Sequence, residues 1–188
     1  MRFFGQHLIL LVCLLAAPSV WAQKVNFDFG MYSIKATPPT GSTTGDISLS
    51  SPGAYSLSAN FEMKQPFEIG VGYTVFFSKG ISGDMGFGPD FYLYYFPFSE
   101  GSAVRVDTPA VQYREIQQWR PFGYMSFHQR QFQSAQSSYS GFGFGLGTEY
   151  QYTERMAFRG VIRSMNLAGP SQATFNYFDT ILGVQLQF

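Results

Sequence analysis

The chain has 188 residues with equal numbers of basic and acidic side chains, and it is 19% aromatic but only 13% charged, where a soluble domain carries about 25% charged residues. That balance offers no electrostatic footprint for nucleic acid, and the excess of aromatics over charges points to a surface that meets lipid. No stretch beyond Ala22 approaches the roughly eighteen consecutive apolar residues of a membrane helix, so a membrane protein of this composition must cross with strands closed into a barrel.

The chain opens with Arg2 in a short polar region, an apolar run from Leu8 to Ala17, and then Pro18 to Ala22, with Val20 and Ala22 at the two small-residue positions that a signal peptidase reads. The apolar run is about half the roughly 20 residues of a spanning helix, so residues 1–22 are expected to be a cleaved targeting segment and residues 23–188 the single folded domain. Cys13, the only cysteine, leaves with the leader. Val12 stands where a lipoprotein signal needs a small residue, which argues against lipidation. Without a thiol, residues 23–188 can hold no disulfide, thiolate nucleophile or cysteine metal site.

A first strand is predicted from Val25, where Val25, Phe27, Phe29 and Met31 alternate with Asn26, Asp28, Gly30 and Tyr32. Pro38, Pro39 and the Gly/Ser/Thr-rich run to Pro52 are expected to form a long loop. A second strand places Tyr55, Leu57, Ala59, Phe61 and Met63 on one face and Ser56, Ser58, Asn60 and Glu62 on the other, with a tight turn at Lys64-Gln65-Pro66. The third alternates Phe67, Ile69, Val71, Tyr73, Val75 and Phe77 with Glu68, Gly70, Gly72 and Thr74. After a loop from Ser78 to Asp84, a fourth from Gly86 to Phe98 puts Phe91, Leu93 and Tyr95 outward and Asp90, Tyr92 and Tyr94 inward.

The rhythm breaks between Ser99 and Gln118, where Thr108-Pro109 can either open a short helix or turn a hairpin between Val104–Val106 and Val111–Tyr113; the hairpin is favoured. Splitting this segment into two more spanning strands would give pieces well short of the 9–11 residues that a crossing needs. The pattern resumes over Trp119 to Arg130, pauses from Gln131 to Ser140, and returns over Gly141 to Tyr150, where Phe142, Phe144, Leu146, Thr148 and Tyr150 alternate with glycines. A turn at Thr153 to Arg155, a seventh strand over Met156 to Met165, a loop from Asn166 to Ala173 and an eighth strand over Phe175 to Phe188 complete the chain. The expected fold is all-β, an eight-stranded antiparallel transmembrane barrel with up-and-down meander order. Short turns and both termini lie at one end and longer loops at the other.

The residues at this point resemble the small bacterial outer-membrane β-barrel proteins, the OmpW-like, OmpX-like and OmpA-like eight-stranded barrels. The most specific part is the family's terminal assembly signal, onto which Gly183, Leu186 and the final Phe188 fit, while Ile181 stands where a polar residue is usual. Trp119-Arg120-Pro121-Phe122-Gly123-Tyr124 is similar to the aromatic and proline opening of the fifth strand in these barrels. The resemblance implies recognition by the barrel-assembly machinery and residence in the outer membrane of a Gram-negative bacterium, among its lipids and lipopolysaccharide. It transfers no function, since one barrel fold hosts porins, adhesins and enzymes; the external ligand stays unassigned.

Arginines at a bilayer midplane cost about 2–4 kcal/mol, so Arg159 and Arg163 are expected to point inward, where alternation also sends Asp28, Glu62, Glu68, Asp90, Glu149 and Asp179. An eight-stranded interior has room for little beyond its own side chains. A salt-bridged plug is therefore favoured over a gated polar pathway. Gly141, Gly143, Gly145 and Gly147 lack the spacing and following helix of a nucleotide loop and are expected to make room in a crowded lumen. Ser126 and His128, two apart on one strand, suggest a lipid-editing barrel hydrolase, but the order and surroundings of that motif differ here, so a hydrophilic strand end is preferred and no catalytic residue is expected. His128 is the one histidine beyond the leader, so no metal or cofactor is expected. Trp119, Tyr150, Tyr152 and Tyr177 are expected to form interfacial girdles. The favoured function is a non-enzymatic barrel working through its external loops, with a narrow OmpW-like channel for small or apolar solutes as the alternative.

Deleting Phe188, or replacing it with aspartate, should lower the amount of barrel in the membrane fraction while export past the leader continues. Immunoblots of fractionated cells measure both, and normal membrane levels of either variant would remove the assembly role assigned to Phe188.

Overall fold

The computed structural model describes residues 24–38, 41, 43, 47–63, 66–77, 85–98, 104–107, 112–115, 117–132 and 138–188. The targeting segment expected over residues 1–22, the Ser78 to Asp84 loop, Lys64, Gln65, Thr108 and Pro109 lie outside the described residues. Among the described residues, ten strands follow in chain order: β1 Lys24–Thr37, β2 Ile47–Glu62, β3 Phe67–Phe77, β4 Met85–Tyr95, β5 Val104–Asp107, β6 Gln112–Glu115, β7 Trp119–Phe132, β8 Ser138–Thr153, β9 Met156–Ala168 and β10 Thr174–Gln187. All but β5 and β6 join in one closed barrel in the order β1-β10-β9-β8-β7-β4-β3-β2, the eight-stranded meander that the alternation implies.

Closure is made by β1 and β10, antiparallel from Lys24 opposite Gln187 to Thr37 opposite Thr174. This seam leaves the sheet no open edge, the condition for placing strands in hydrocarbon. β5 and β6 form a separate antiparallel two-stranded sheet with Val104 opposite Glu115, the pairing that the hairpin reading of this segment expects, while its Thr108-Pro109 turn lies outside the described residues.

Several strands outrun their apolar pattern. β2 starts at Ile47, inside the run expected as loop to Pro52, because β1 continues to Thr37 and pairs Ala36 with Ile47. Backbone pairing needs no alternation once a strand leaves the lipid. A bulge falls where Gly30 faces Ala54 and Met31 faces Pro52, leaving Gly53 unmatched. Gly53 adopts φ +131°, which an L side chain rarely tolerates. β7 likewise runs to Phe132, β8 begins at Ser138 and β9 reaches Ala168, each beyond its predicted end.

The two faces of the wall are inverted relative to a soluble protein. Phe142, Phe144, Leu146 and Leu182 point outward with 59–67% exposure, joined by Phe29, Ile69, Phe91, Met125, Ile162 and Phe178. Asp90, His128, Glu149 and Gln185 point inward and are completely buried. An apolar belt of this extent exceeds what water-facing surfaces carry and is the surface of a protein solvated by lipid. Trp119 and Tyr152 are exposed at the end that holds the termini, and Trp119 packs on Tyr150 at 4.8 Å between ring centroids. Tyr177 corrects the girdle assignment: two residues from Asp179 on the same strand, it shares the inward face and is buried against Tyr32.

Gly141 faces the lumen so closely that an added Cβ would lie 1.9 Å from the Asn166 carbonyl oxygen, whereas at the outward Gly123 it would lie 3.6 Å from Leu146 Cδ2. Gly141→Ala should destabilise the barrel by about 1–3 kcal/mol, since backbone must move. Gly123→Ala should stay within about 0.5 kcal/mol. Urea unfolding of the purified barrel in detergent compares them.

Candidate functional site

Because β-strand side chains alternate, every second residue of the eight barrel strands enters the lumen, and the polar ones meet in layers along the axis. Nearest the termini, a ring of contacts joins neighbouring strands and, through Gln185–Glu149, Arg120–Glu68 and Lys24–Glu68, strands that are not neighbours. Asn26 donates to Ser58 Oγ at 3.0 Å, and Gln185 donates to Asn26 and to Glu149, each at 2.9 Å. Arg120 spans Glu149 and Glu68 at 3.1 Å each, and Lys24 binds Glu68 and, at 3.1 Å, Glu62. Phe96 closes this layer, with the Arg120 guanidinium 4.4 Å and the Lys24 ammonium 5.6 Å from its ring centre.

One layer deeper, Arg159 lies against aromatic faces, 5.3 Å from the Tyr94 centroid and 5.1 Å from that of Phe122. Asp28 approaches it past Gly183, which pairs with both Asp28 and Arg159. A Cβ on Gly183 would fall 1.9 Å from Asp28 Oδ1, so the glycine makes room for that carboxylate. Above it, Arg163 grips Asp179 with Nε 3.1 Å from both carboxylate oxygens and Nη2 2.5 Å from Oδ2. A planar guanidinium matches a carboxylate in this two-pronged way.

The fourth layer is the one that sequence order concealed. Asp90 on β4 lies directly opposite His128 on β7, and its carboxylate accepts from His128 Nδ1 at 2.6 Å, Arg130 Nη1 at 2.6 Å, Tyr92 Oη at 3.1 Å and Thr74 Oγ1. A carboxylate at Nδ1 assigns the ring proton there, which leaves Nε2 to accept from Ser126 Oγ at 2.7 Å. Ser, His and Asp thus stand in the order of a nucleophile, its base and the base's orienting group. All three are buried, with Ser126 only 3% exposed. A Cβ added to Gly143 would meet Met165 Cγ at 2.7 Å, Ser126 Oγ at 2.9 Å and His128 Nε2 at 3.1 Å. His128 is therefore no hydrophilic strand end; it sits mid-strand in the lumen, where the side chains of β4 complete it.

At the loop end the interior turns apolar. Tyr32, Phe76, Phe132, Tyr139, Phe175 and Tyr177 interlock at 4.5–5.6 Å between centroids, and the Tyr32 hydroxyl donates to the Phe77 carbonyl. Of the residues picked from the sequence, Glu68, Asp90, Glu149, Arg159, Arg163 and Asp179 are buried in the lumen, Asp28 is half-buried there, and Glu62 is partly exposed at its mouth. Gly183 faces inward, and Leu186 and Phe188 face outward. Lys24, Arg120 and Arg130 were missed, although their parity with Asn26, Phe122 and His128 marks them as inward. Among the described residues, no group of three or more His, Cys, Asp and Glu is placed to hold a metal.

No family model and no curated protein sequence matches the chain. Among solved structures, Neisserial surface protein A (NspA) is similar over 87% of this chain and 97% of its own, with TM-score 0.58 and 13% identity. This chain has the fold of a small outer-membrane barrel. OprG, an outer-membrane protein of Pseudomonas aeruginosa, is similar over 90% of this chain and 98% of its own, with TM-score 0.50 and 11% identity. At such identities the likeness is one of fold.

Removing one member of the Arg163–Asp179 pair strands the other in the lumen. Arg163→Leu and Asp179→Leu should each cost about 3–5 kcal/mol. The double variant should cost clearly less than the two losses added, because neither charge is then left unpaired. Urea unfolding of the four proteins in detergent closes the cycle.

Proposed function

We propose that the protein is a non-enzymatic integral outer-membrane protein of a Gram-negative bacterium, exported by cleavage after Ala22 and inserted by the barrel-assembly machinery among lipid and lipopolysaccharide. Its charged lumen is a structural plug, and recognition is performed at the loop end. The observation that carries this reading is the inversion of the wall, with an apolar belt outside and Arg163–Asp179, Arg120–Glu149 and Lys24–Glu68 pairs inside. The aromatic cluster at the loop end and Phe96 near the termini support a lumen without a solute path, which weighs against the narrow apolar-solute channel.

A second reading, a barrel hydrolase acting on lipid esters, is favoured by the Ser126–His128–Asp90 geometry alone. Against it stand the burial of Ser126 and the strand ladder around it, where the β7 and β8 backbone groups bond to each other in register instead of presenting donors to an oxyanion.

Purified protein should migrate differently on a denaturing gel before and after boiling, fractionate with the outer membrane and give no conductance steps in planar bilayers. Identical migration together with a soluble periplasmic location would sink the barrel reading, and ohmic steps would restore the channel. A small fluorophosphonate should leave Ser126 unlabelled; labelling that His128→Ala abolishes would replace the first reading by the second.

A further inference from the structure

The barrel wall leaves the β5–β6 hairpin without a role. Among the described residues these two strands pair only with each other, four residues against four. A two-stranded ribbon of that length is marginal in water. Its own register adds a cost, because Arg105 lies directly opposite Arg114 while Asp107 lies opposite Gln112. Like charges thus face each other across the ladder, and the carboxylate is matched to an amide.

The hairpin is held at the membrane boundary. Gln117 Nε2 donates to the Phe98 carbonyl at 2.9 Å and closes its base, and Phe98 and Trp119 are exposed beside it at the end that holds the termini. Glu115 is two residues from Gln117, so the ribbon begins no more than about 7 Å from that rim.

A strand edge that no neighbour covers is a template for another strand, and β5 is complementary to itself. Set antiparallel to a second β5 about Val106, each Arg105 falls opposite the second copy's Asp107, and Val106 falls opposite Val106. The match runs over three residues. β6 set against itself opposes Arg114 to Glu115 over only two. The joined sheet has the order β6-β5-β5-β6, and because Val106 already lies opposite Tyr113, its middle row reads Tyr113, Val106, Val106, Tyr113, apolar across all four strands.

Symmetry fixes how such a sheet lies. Two barrels inserted the same way in one membrane are related by a two-fold along the membrane normal, and the two-fold between antiparallel strands runs perpendicular to their sheet. The joined sheet therefore lies flat along the membrane surface. One face carries the Tyr113 and Val106 row, with Val104 and Glu115 at the ribbon's base, and the other carries Arg105, Asp107, Gln112 and Arg114. An apolar face toward lipid and a charged face toward water is what an interfacial element needs.

We propose that the protein is a two-fold dimer in which β5 of one copy pairs with β5 of a second copy at the end of the chain termini, outside the lipid-facing wall. The Arg105–Asp107 match selects the partner, whatever the external loops bind.

Cys13, the chain's only cysteine, falls in the targeting segment, so an introduced thiol reports alone. Residues directly opposite on antiparallel strands place their Cβ atoms about 4.5–5.5 Å apart, so Val106→Cys should give a disulfide-linked dimer when membranes are oxidised. Tyr113→Cys should stay monomeric, since β5 of both copies separates the two thiols. Light scattering of the folded protein in detergent should give the mass of two chains. Arg105→Asp should reduce it to one by opposing Asp107 with a like charge, and adding Asp107→Arg should restore two, a rescue that a merely weakened hairpin would not show. The shift on boiling in a denaturing gel reads the barrel of each variant separately. A one-chain mass for the unaltered protein, no cross-link at Val106, equal cross-linking at Tyr113, or no rescue by the charge exchange would overturn the dimer.

Discussion

The β1–β10 seam is the constraint on which the rest of the barrel depends. In hydrocarbon an unpaired peptide group has no water to turn to, so a sheet can enter the membrane only when its first and last strands pair. Here that pairing joins Lys24 to Gln187 and continues to Thr37 and Thr174. Once the wall is closed, the alternation of strand side chains leaves one face for lipid and one for a narrow interior. The interior's chemistry follows from the wall.

That interior couples strands that the chain does not tie together. β4 and β7 are neighbours in the barrel, yet the whole excursion carrying β5 and β6 separates them, so no tight turn sets their register. Side chains supply what the turn cannot. Asp90 binds His128 directly opposite it and Arg130 two residues further along β7. A slip along this seam would part the carboxylate from both. Arg120 likewise ties β7 to β3, and Gln185 ties β10 to β1 and β8. These side-chain contacts complement the backbone pairing of the wall, and the Ser-His-Asp arrangement is part of them.

Much of this was legible as pattern. Two-residue alternation over Phe67 to Phe77, Gly141 to Tyr150 and Phe178 to Phe188 is a local property of the backbone, so it gave the strands, their faces and the inward direction of Arg159, Arg163 and the carboxylates. Strand ends were less legible. Ile47 to Pro52 and Ser138 to Ser140 carry no apolar face because they lie beyond the belt, and only a partner strand makes them extended.

The sequence by itself determined that this chain crosses a membrane as strands and which residues face lipid, because sidedness follows from the parity of one strand and the solvation of its side chains. Only the tertiary structure decided who meets whom inside. Asp90 and His128, Arg163 and Asp179, and Tyr32 and Tyr177 are brought together by barrel closure and by register between strands distant in sequence. Register depends on hydrogen bonds and on glycine gaps such as Gly143 and Gly183, which no local pattern records.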